Sequence, residues 1–430
     1  LDTPSQRENF NQPYTIFYTY GAGQKGVLQR SHGKRRRTVE TSNDILDTGL
    51  RGVTIASSRI SDVDGAAGKL IYRGYLVKEL AENATFEEVA YLLLYESLPQ
   101  KDKLEAFRAQ IAEERAVPPE VIRALQSLPS NSPPMDVLQS AVPMLATYDP
   151  DIKDQTKEAS YRMAIRLIAK MATIVATWDR IRNGKAPIDP DPKLSQAANF
   201  LYMLTGNVPD DEVASFFDAG LVLHAEHSFN ASTFAAREVA STRAHMYAAI
   251  SAAVGSLSGE LHGGANVRVM EMLIKIGSPE AVEPYVNDIL DSGGKIFGLG
   301  HAVYKTDDPR ARILAPMSKI MGQRIGETKW YEMSEILEKK GKEAFKKRKG
   351  TDIYANVDFY SASLYYSMGI PLDLFTPIFA ISRIAGWTAH VIEEQFAGAA
   401  PKPVLYRPES EYVGDYCGVE ECTFVPMENR

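Results

Sequence analysis

Cysteine is nearly missing from this chain: there are two in 430 residues, Cys417 and Cys422. That excludes a disulfide framework and a cysteine-rich metal site and fits a reducing compartment, with a regulatory C-x4-C disulfide the one redox use left open. A long apolar run is missing too. The stretch Ala244 to Gly259 is rich in Ser and Ala and falls short of the roughly 20 apolar residues a membrane span needs, so it reads as buried packing. Nor is there an excess of base. With 48 Lys and Arg against 55 Asp and Glu, the net charge is -7, which argues against a general binder of nucleic acid or acidic membrane. Any anionic ligand must be held by local cations. The basic run in "GKRRRT" (33–38) reads as a solvated tail rather than a nuclear signal. Asp2 and Glu8 make the start a poor transit peptide, and with no address evident the expected compartment is the cytoplasm.

What is present is ordinary soluble composition, 44% hydrophobic and 24% charged, in a chain long enough for two or three domains. Residues 1–45 are polar and aperiodic, include "YTIFYTYGAG" as a candidate hairpin, and are set aside as an extension. From about residue 70 the pattern is helical. "ATFEEVAYLLLYESLP" opens on the capping box Thr85-x-x-Glu88 and closes at Pro99, and "VPPE", "LPSNSPPMD", "PIDPDP" and "GNVPDDE" supply further turns and N-caps. Only "GVTIASSRI" and "KLIYRGY", within 51–73, show a β-like rhythm. The expected fold is therefore all-α with a minor sheet, and no repeat of solenoid length is present.

Seven histidines occur, and three stand in glycine- or asparagine-rich junctions. His262 precedes Gly263, Gly264 and the periodic "VRVMEMLI", which predicts a place at the N-terminus of the following helix, where the dipole disfavours protonation. A neutral imidazole there can donate to a developing anion; the competing reading is a helix-capping histidine. His301, in "FGLGHAVYKTDDPRAR", follows a G-x-G turn and precedes Lys305 and Arg310, a setting for a polyanionic ligand. His227 and Asn230 lie in "LHAEHSFNAST", with His224 as a core or metal-binding partner; no H-E-x-x-H motif or clear third ligand supports a zinc reading. Asp358 sits between Val357 and Phe359, where desolvation makes a carboxylate more basic and suited to removing a proton beside a carbonyl; the alternative is an N-cap. Arg383, in the apolar "FAISRIAGWTAH", either snorkels or pairs with a carboxylate. Arg407, in "LYRPESEY", reads by itself as a surface arginine.

Taken together, "HAEHSFNASTFAAR", "LHGGAN", "GLGHAVYKTDDPRA", "NVDFYS", "LFTPIFAISRIAGWTAH" and "YRPESEY" resemble the citrate synthase family in order and spacing, from about residue 50 to 415. Leu299 fills a slot that is often aromatic in the family. The resemblance implies an all-α fold with a large helical domain (46–262 and 365–430) interrupted by a small one (263–364), and condensation of acetyl-CoA with oxaloacetate and water to citrate and CoA, through an enol and citryl-CoA. It implies His262 as donor to the thioester oxygen, Asp358 as base and His301 as donor to the oxaloacetate carbonyl. His227 is then a ligand to oxaloacetate, Arg310 and Arg383 are its carboxylate clamps, Arg407 reaches in from a second subunit, and Lys305 lies near the coenzyme A phosphates. No metal and no cofactor beyond the acetyl-CoA substrate are implied. A homodimer is expected, since the β-rich N-terminal domain of the family's NADH-inhibited hexamers has no counterpart here. The alternatives are a 2-methylcitrate synthase using propionyl-CoA, operation in the reverse direction, an inactive scaffold on the same fold, and a helical-repeat binding module.

Overall fold

In this computed structural model residues 49–50, 52–411 and 426–429 are described. Residues up to Thr54 form one unit and Ile55–Arg430 a second, and everything below concerns the second. The candidate hairpin of the extension and both cysteines lie outside the described residues.

The unit opens with a small antiparallel sheet of order β1-β2-β3: β1 (Ser61–Asp64), β2 (Lys69–Tyr72) and β3 (Tyr75–Leu76), with Ser61 paired to Tyr72 and Asp64 to Lys69. "KLIYRGY" thus contains a strand, whereas "GVTIASSRI" is irregular. Alternation in that segment finds no partner strand, and β1 forms instead in the acidic "SDVD" because the tight turn at 65–68 folds it back on β2. Helices follow: α1 (Val77–Asn83), α2 (Phe86–Tyr95), α3 (Lys101–Glu113), α4 (Pro119–Gln126), α5 (Pro134–Ala146), α6 (Lys157–Arg182), α7 (Gln196–Thr205), α8 (Asp211–His224), α9 (Ala231–Ser241) and α10 (Met246–Ser258). The second half adds α11 (Ala265–Ile276), α12 (Val282–Asp291), α13 (Pro309–Ile325), α14 (Lys329–Lys349), α15 (Val357–Ser367) and α16 (Phe375–Gln395). The all-α expectation holds, and so does the capping box. The Thr85 amide donates to Glu88 Oε2 at 2.9 Å and the Glu88 amide to Thr85 Oγ1 at 3.4 Å, satisfying two of the four N–H groups that a helix start leaves open. None of the helices among the described residues is long and apolar enough to cross a membrane.

Two helices organise the interior. Along α6 and α16 the apolar residues are not confined to one stripe, the mark of a helix surrounded by others; every residue from Phe375 to Glu394 except Phe379 is buried. Around α16 pack α6, α8, α9, α10 and α2. The Ala- and Ser-rich 244–259 stretch becomes α10, packed on α9 and α5 as expected.

Close approach of α16 to the end of α8 depends on Gly386. Its amide donates to Ala225 O at 3.1 Å, and a methyl group there would lie 2.2 Å from Glu226 Oε2 and 2.4 Å from Ala225 O. Nearby, Ser382 Oγ donates to Leu221 O and Arg383 Nε to His224 O at 2.7 Å. The α8–α9 turn, which carries His224 and His227, is thereby seated on one face of α16. Gly386→Ala is expected to destabilise the fold by about 1–3 kcal/mol, the usual cost of overpacking a tight interior, measured by denaturant unfolding; a variant as stable as the parent contradicts this close contact.

Candidate active site

Three irregular segments meet over the α8–α16 junction: the turn 225–230, the link 259–264 and the loop 298–308. His227 and His301 face each other with ring centroids 5.3 Å apart. Tyr304 stands beside both rings, with its hydroxyl 3.2 Å from His227 Nε2. His301 is oriented by its own loop, since the amides of Val303 and Tyr304 donate to its Nδ1 at 3.0 and 3.2 Å. Because two donors occupy Nδ1, the neutral ring carries its proton on Nε2. Burial, reinforced by Arg310, lowers the His301 pKa to about 4, so the neutral form prevails at pH 7. Burial likewise pushes His227 well below the usual histidine range.

His262 differs from expectation in an instructive way. It is two residues short of the Gly264 that caps α11, and its ring is held by the start of α9 instead. The Ser232 amide donates to His262 Nε2 at 3.2 Å, and Ser232 Oγ lies 2.8 Å from the same atom. Ser232 Oγ in turn accepts from Trp387 Nε1 on α16 at 3.1 Å. With Nε2 accepting, the proton of the neutral ring is on Nδ1. Burial, then the positive charge of Arg383, depresses its pKa to about 4; the suppressed charge is as expected, but its cause is burial and an arginine rather than a helix dipole.

Asp358 is in the first turn of α15, whose N-cap is Asn356 through a side-chain bond to the Asp358 amide at 3.1 Å. The N-cap alternative for Asp358 is thereby removed. Its carboxyl is raised to about 6, chiefly by burial, with Arg310 and Arg383 pulling the other way and Asp308 adding to the rise. Backbone bonds stitch this helix start to the His301 loop: Gly300 N to Tyr354 O (2.8 Å) and Asn356 N to Gly298 O (2.9 Å), with Asn356 Nδ2 on Gly300 O at 3.0 Å. Gly298, at φ +79°, has no room for a side chain, since a methyl would touch Phe359 and Val269 at 2.7 Å.

The two arginines are buried, Arg310 at 2% and Arg383 at 1% exposure. Arg310 is paired with Asp308, Nε to Oδ1 at 3.0 Å and Nη2 to Oδ2 at 2.8 Å. Burial works against its charge, but Asp308 outweighs it and holds the guanidinium protonated. Arg383 follows neither expectation for it. It does not snorkel and has no ion pair among the described residues; Nε rests on the His224 carbonyl and the guanidinium lies 4.7 Å from the centroid of the Phe379 ring. Burial pushes its pKa down to about 10. The negative charge of Glu226 favours the arginine's charge without an ion pair, while its Oε1 accepts from Ser61 Oγ at 2.8 Å and from His390 Nε2 at 3.0 Å.

His224 proves to be a core residue with Nδ1 donating to Gly220 O at 2.7 Å, its pKa lowered by burial to about 3. Asn230 caps α9. Lys305 and Arg407 are exposed and do not join the buried cluster. Three contributors escaped the sequence reading. Asp308 caps α13, pairs with Arg310 and accepts from the Val357 amide at 3.1 Å, tying the Arg310 helix to the Asp358 helix; the signal was available as Asp before Pro309 at a helix start. Tyr304 and Ser232 carry no local signature.

The assembly combines a base of raised pKa, two neutral imidazoles with defined donor atoms, and two buried guanidinium groups, a set suited to binding a dicarboxylate and moving a proton beside a carbonyl. The family model described as "Citrate synthase, C-terminal domain" matches residues 49–409. The citrate synthase of Haloferax volcanii is 43% identical over 391 residues, covering 90% of this chain and 99% of its own. The crystal structure of citrate synthase from Pyrobaculum aerophilum superposes with a TM-score of 0.82 at 38% identity, over 89% of this chain and 95% of that one. A ternary complex of the Thermoplasma acidophilum citrate synthase with carboxymethyl coenzyme A and oxaloacetate gives 0.80 at 33% identity, over 89% and 98%. The shared sequence, fold and length mean that this chain belongs to the citrate synthase family.

Proposed function

We propose that the chain condenses acetyl-CoA with oxaloacetate and water to give citrate and CoA, and that the roles fall as follows. Arg310 and Arg383 bind the two carboxylates of oxaloacetate, His227 completes its seat, and His301 Nε2–H donates to the ketone oxygen. Asp358 removes a proton from the acetyl methyl group while His262 Nδ1–H donates to the thioester oxygen as the enol forms. The methyl carbon then bonds to the ketone carbon as His301 Nε2–H passes its proton to the oxygen that becomes the hydroxyl, and water adds to the citryl thioester carbonyl, its hydroxyl staying on carbon and its proton leaving with CoA as the thiol.

The observation that carries this reading is the division of labour set by the two imidazole tautomers. His262 has its accepting nitrogen on Ser232 and His301 its accepting nitrogen on Val303 and Tyr304, which leaves one N–H on each for substrate oxygen. A thioester methyl is a very weak carbon acid, so Asp358 alone is insufficient without such a donor. The complex known for the Thermoplasma relative supports the substrate pair.

Lys305, exposed at the end of the His301 loop, is assigned to the coenzyme A phosphates. Arg407 is assigned to the oxaloacetate site of a second copy in a homodimer. It is exposed, while its neighbour Tyr406 is anchored to Glu394 by a 2.8 Å hydroxyl bond and to Ser241 through its amide, which leaves the arginine facing outward. We further assign 263–364 to a small domain that closes on the rest, with His262 and Asp358 near the two crossings. Closure excludes water until carbon–carbon bond formation is complete.

Thiol release from acetyl-CoA and from propionyl-CoA, each with oxaloacetate, tests the reaction. A larger kcat/KM for acetyl-CoA is expected, whereas preference for propionyl-CoA moves the protein to 2-methylcitrate synthesis. In the same assay Asp358→Ala is expected to lower turnover by at least about 10²–10⁴-fold with oxaloacetate binding kept; near-normal turnover removes Asp358 as the base. A base with its pKa near 6 is ionised above that pH and protonated below it. The kcat/KM for acetyl-CoA is therefore expected to be level near pH 7–8 and to fall about tenfold per pH unit on the acid side, and a profile still level at pH 4.5 contradicts the assignment.

A further inference from the structure

The β1–β2 hairpin belongs to no part of the chemistry above, yet it touches both histidine-bearing loops. At its base, Ser61 Oγ accepts from the Ser228 amide at 3.0 Å and donates to Glu226 Oε1 at 2.8 Å. Tyr72, paired with Ser61 across the hairpin and fully buried, donates from its hydroxyl to Glu226 O at 2.7 Å and accepts from the Glu226 amide at 3.2 Å. These four contacts grip the turn that presents His227. At the other end, the Lys305 amide donates to Gly65 O at 2.8 Å. A methyl group on Gly65 would lie 2.3 Å from Val303 O, and one on Gly68 would lie 2.7 Å from Thr306 Cγ2. The tip thus rests on the loop between His301 and Arg310 with no room to spare. One rigid two-stranded element spans the gap between the two loops whose imidazoles stand 5.3 Å apart.

We propose that the β1–β2 hairpin is a positioning clasp: its base fixes the His227 turn, its tip fixes the His301–Arg310 loop, and their separation sets the fit for the keto diacid. The inference rests on the citrate-forming reading of the site and assigns the hairpin a part that this reading does not need. Under the domain division above, base and tip contact opposite sides of the cleft, so the Lys305–Gly65 bond is also a contact that closure makes. Displacing a substrate-binding group by about 1 Å costs on the order of 10²-fold when the pose is critical, so small changes at the tip are felt.

Gly65 is the informative position because it is not among the residues with positive φ. An alanine there suits the hairpin's own backbone and meets only the opposing loop. Gly65→Ala is expected to raise the KM for oxaloacetate by about tenfold or more, with the KM for acetyl-CoA at saturating oxaloacetate raised less, since Lys305 in its proposed role meets the coenzyme through its side chain and not the amide that is lost, and the unfolding midpoint lowered only modestly. Ala66→Ser, at the exposed tip, serves as the control with parental kinetics. A parental oxaloacetate KM in Gly65→Ala overturns the clasp, as does an equal loss in both KM values accompanied by a steeply lowered midpoint. Hydrogen exchange gives a second readout that needs no turnover. The Lys305 amide is expected to be protected in the parent and to exchange at least about tenfold faster in Gly65→Ala, since that bond is the one lost; a Lys305 amide that exchanges in the parent like an exposed loop amide overturns the proposal even if the variant fails to fold. If the parent releases no thiol from acetyl-CoA with oxaloacetate, the reaction assignment fails and the exchange result decides the clasp separately.

Discussion

A positive charge is buried on α16 with no ion-pair partner among the described residues, although Glu226 and Asp358 lie near enough to favour it. Arg383 is 1% exposed, rests on a carbonyl and a phenyl ring, and forms no ion pair among the described residues. Burying an unpaired ion costs several kcal/mol even after relaxation, and the depressed Arg383 pKa expresses that cost. A helix as apolar as α16 gains stability from Ile, Leu or Met at such a position. The arginine is therefore held at the expense of the unliganded fold, and in the role proposed for it a dicarboxylate recovers what the chain gives up. Much of the surrounding structure serves that arrangement: Gly386 lets the α8–α9 turn approach, and His224 offers its carbonyl. His390, which accepts from Arg237 at Nδ1, donates from Nε2 to Glu226 Oε1.

Burial and, after it, the same positive charges keep the imidazoles neutral. Desolvation does most to disfavour protonation of His227, His262 and His301, and Arg310 or Arg383 adds to it, so those rings are neutral donors at pH 7. Asp358 feels the opposite pull. Burial raises it while the arginines lower it, and the balance leaves a carboxylate that is ionised at pH 7 and more basic than an exposed one. One electrostatic setting thus produces an anion seat, two neutral hydrogen-bond donors and a general base.

Local signals in the sequence were legible wherever the deciding interaction is local. Thr85 and Glu88 form their box because both partners lie within one turn, and the G-x-G before His301 does mark a positive-φ loop. Errors arose where a distant partner decides. His262 stands next to the start of α11 in sequence, yet its ring is claimed by Ser232, thirty positions earlier. For Arg383 two fates were open, and neither came about, because the His224 carbonyl, remote in sequence, and the Phe379 ring receive the guanidinium. "GVTIASSRI" alternates like a strand but has nothing to pair with. Tyr304 and Ser232 became visible only when loops far apart in sequence were brought together.

The most direct measurement is thermal unfolding of the parent and of Arg383→Met, each with and without oxaloacetate and with no acetyl-CoA present. If the buried guanidinium is an unpaid charge awaiting a dicarboxylate, Arg383→Met unfolds at a higher temperature than the unliganded parent, by about 1–4 kcal/mol of added stability. Oxaloacetate then raises the midpoint of the parent by clearly more than that of the variant, in which Arg310 alone clamps a carboxylate. A variant less stable than the parent, or one whose midpoint rises with oxaloacetate as much as the parent's, contradicts the account.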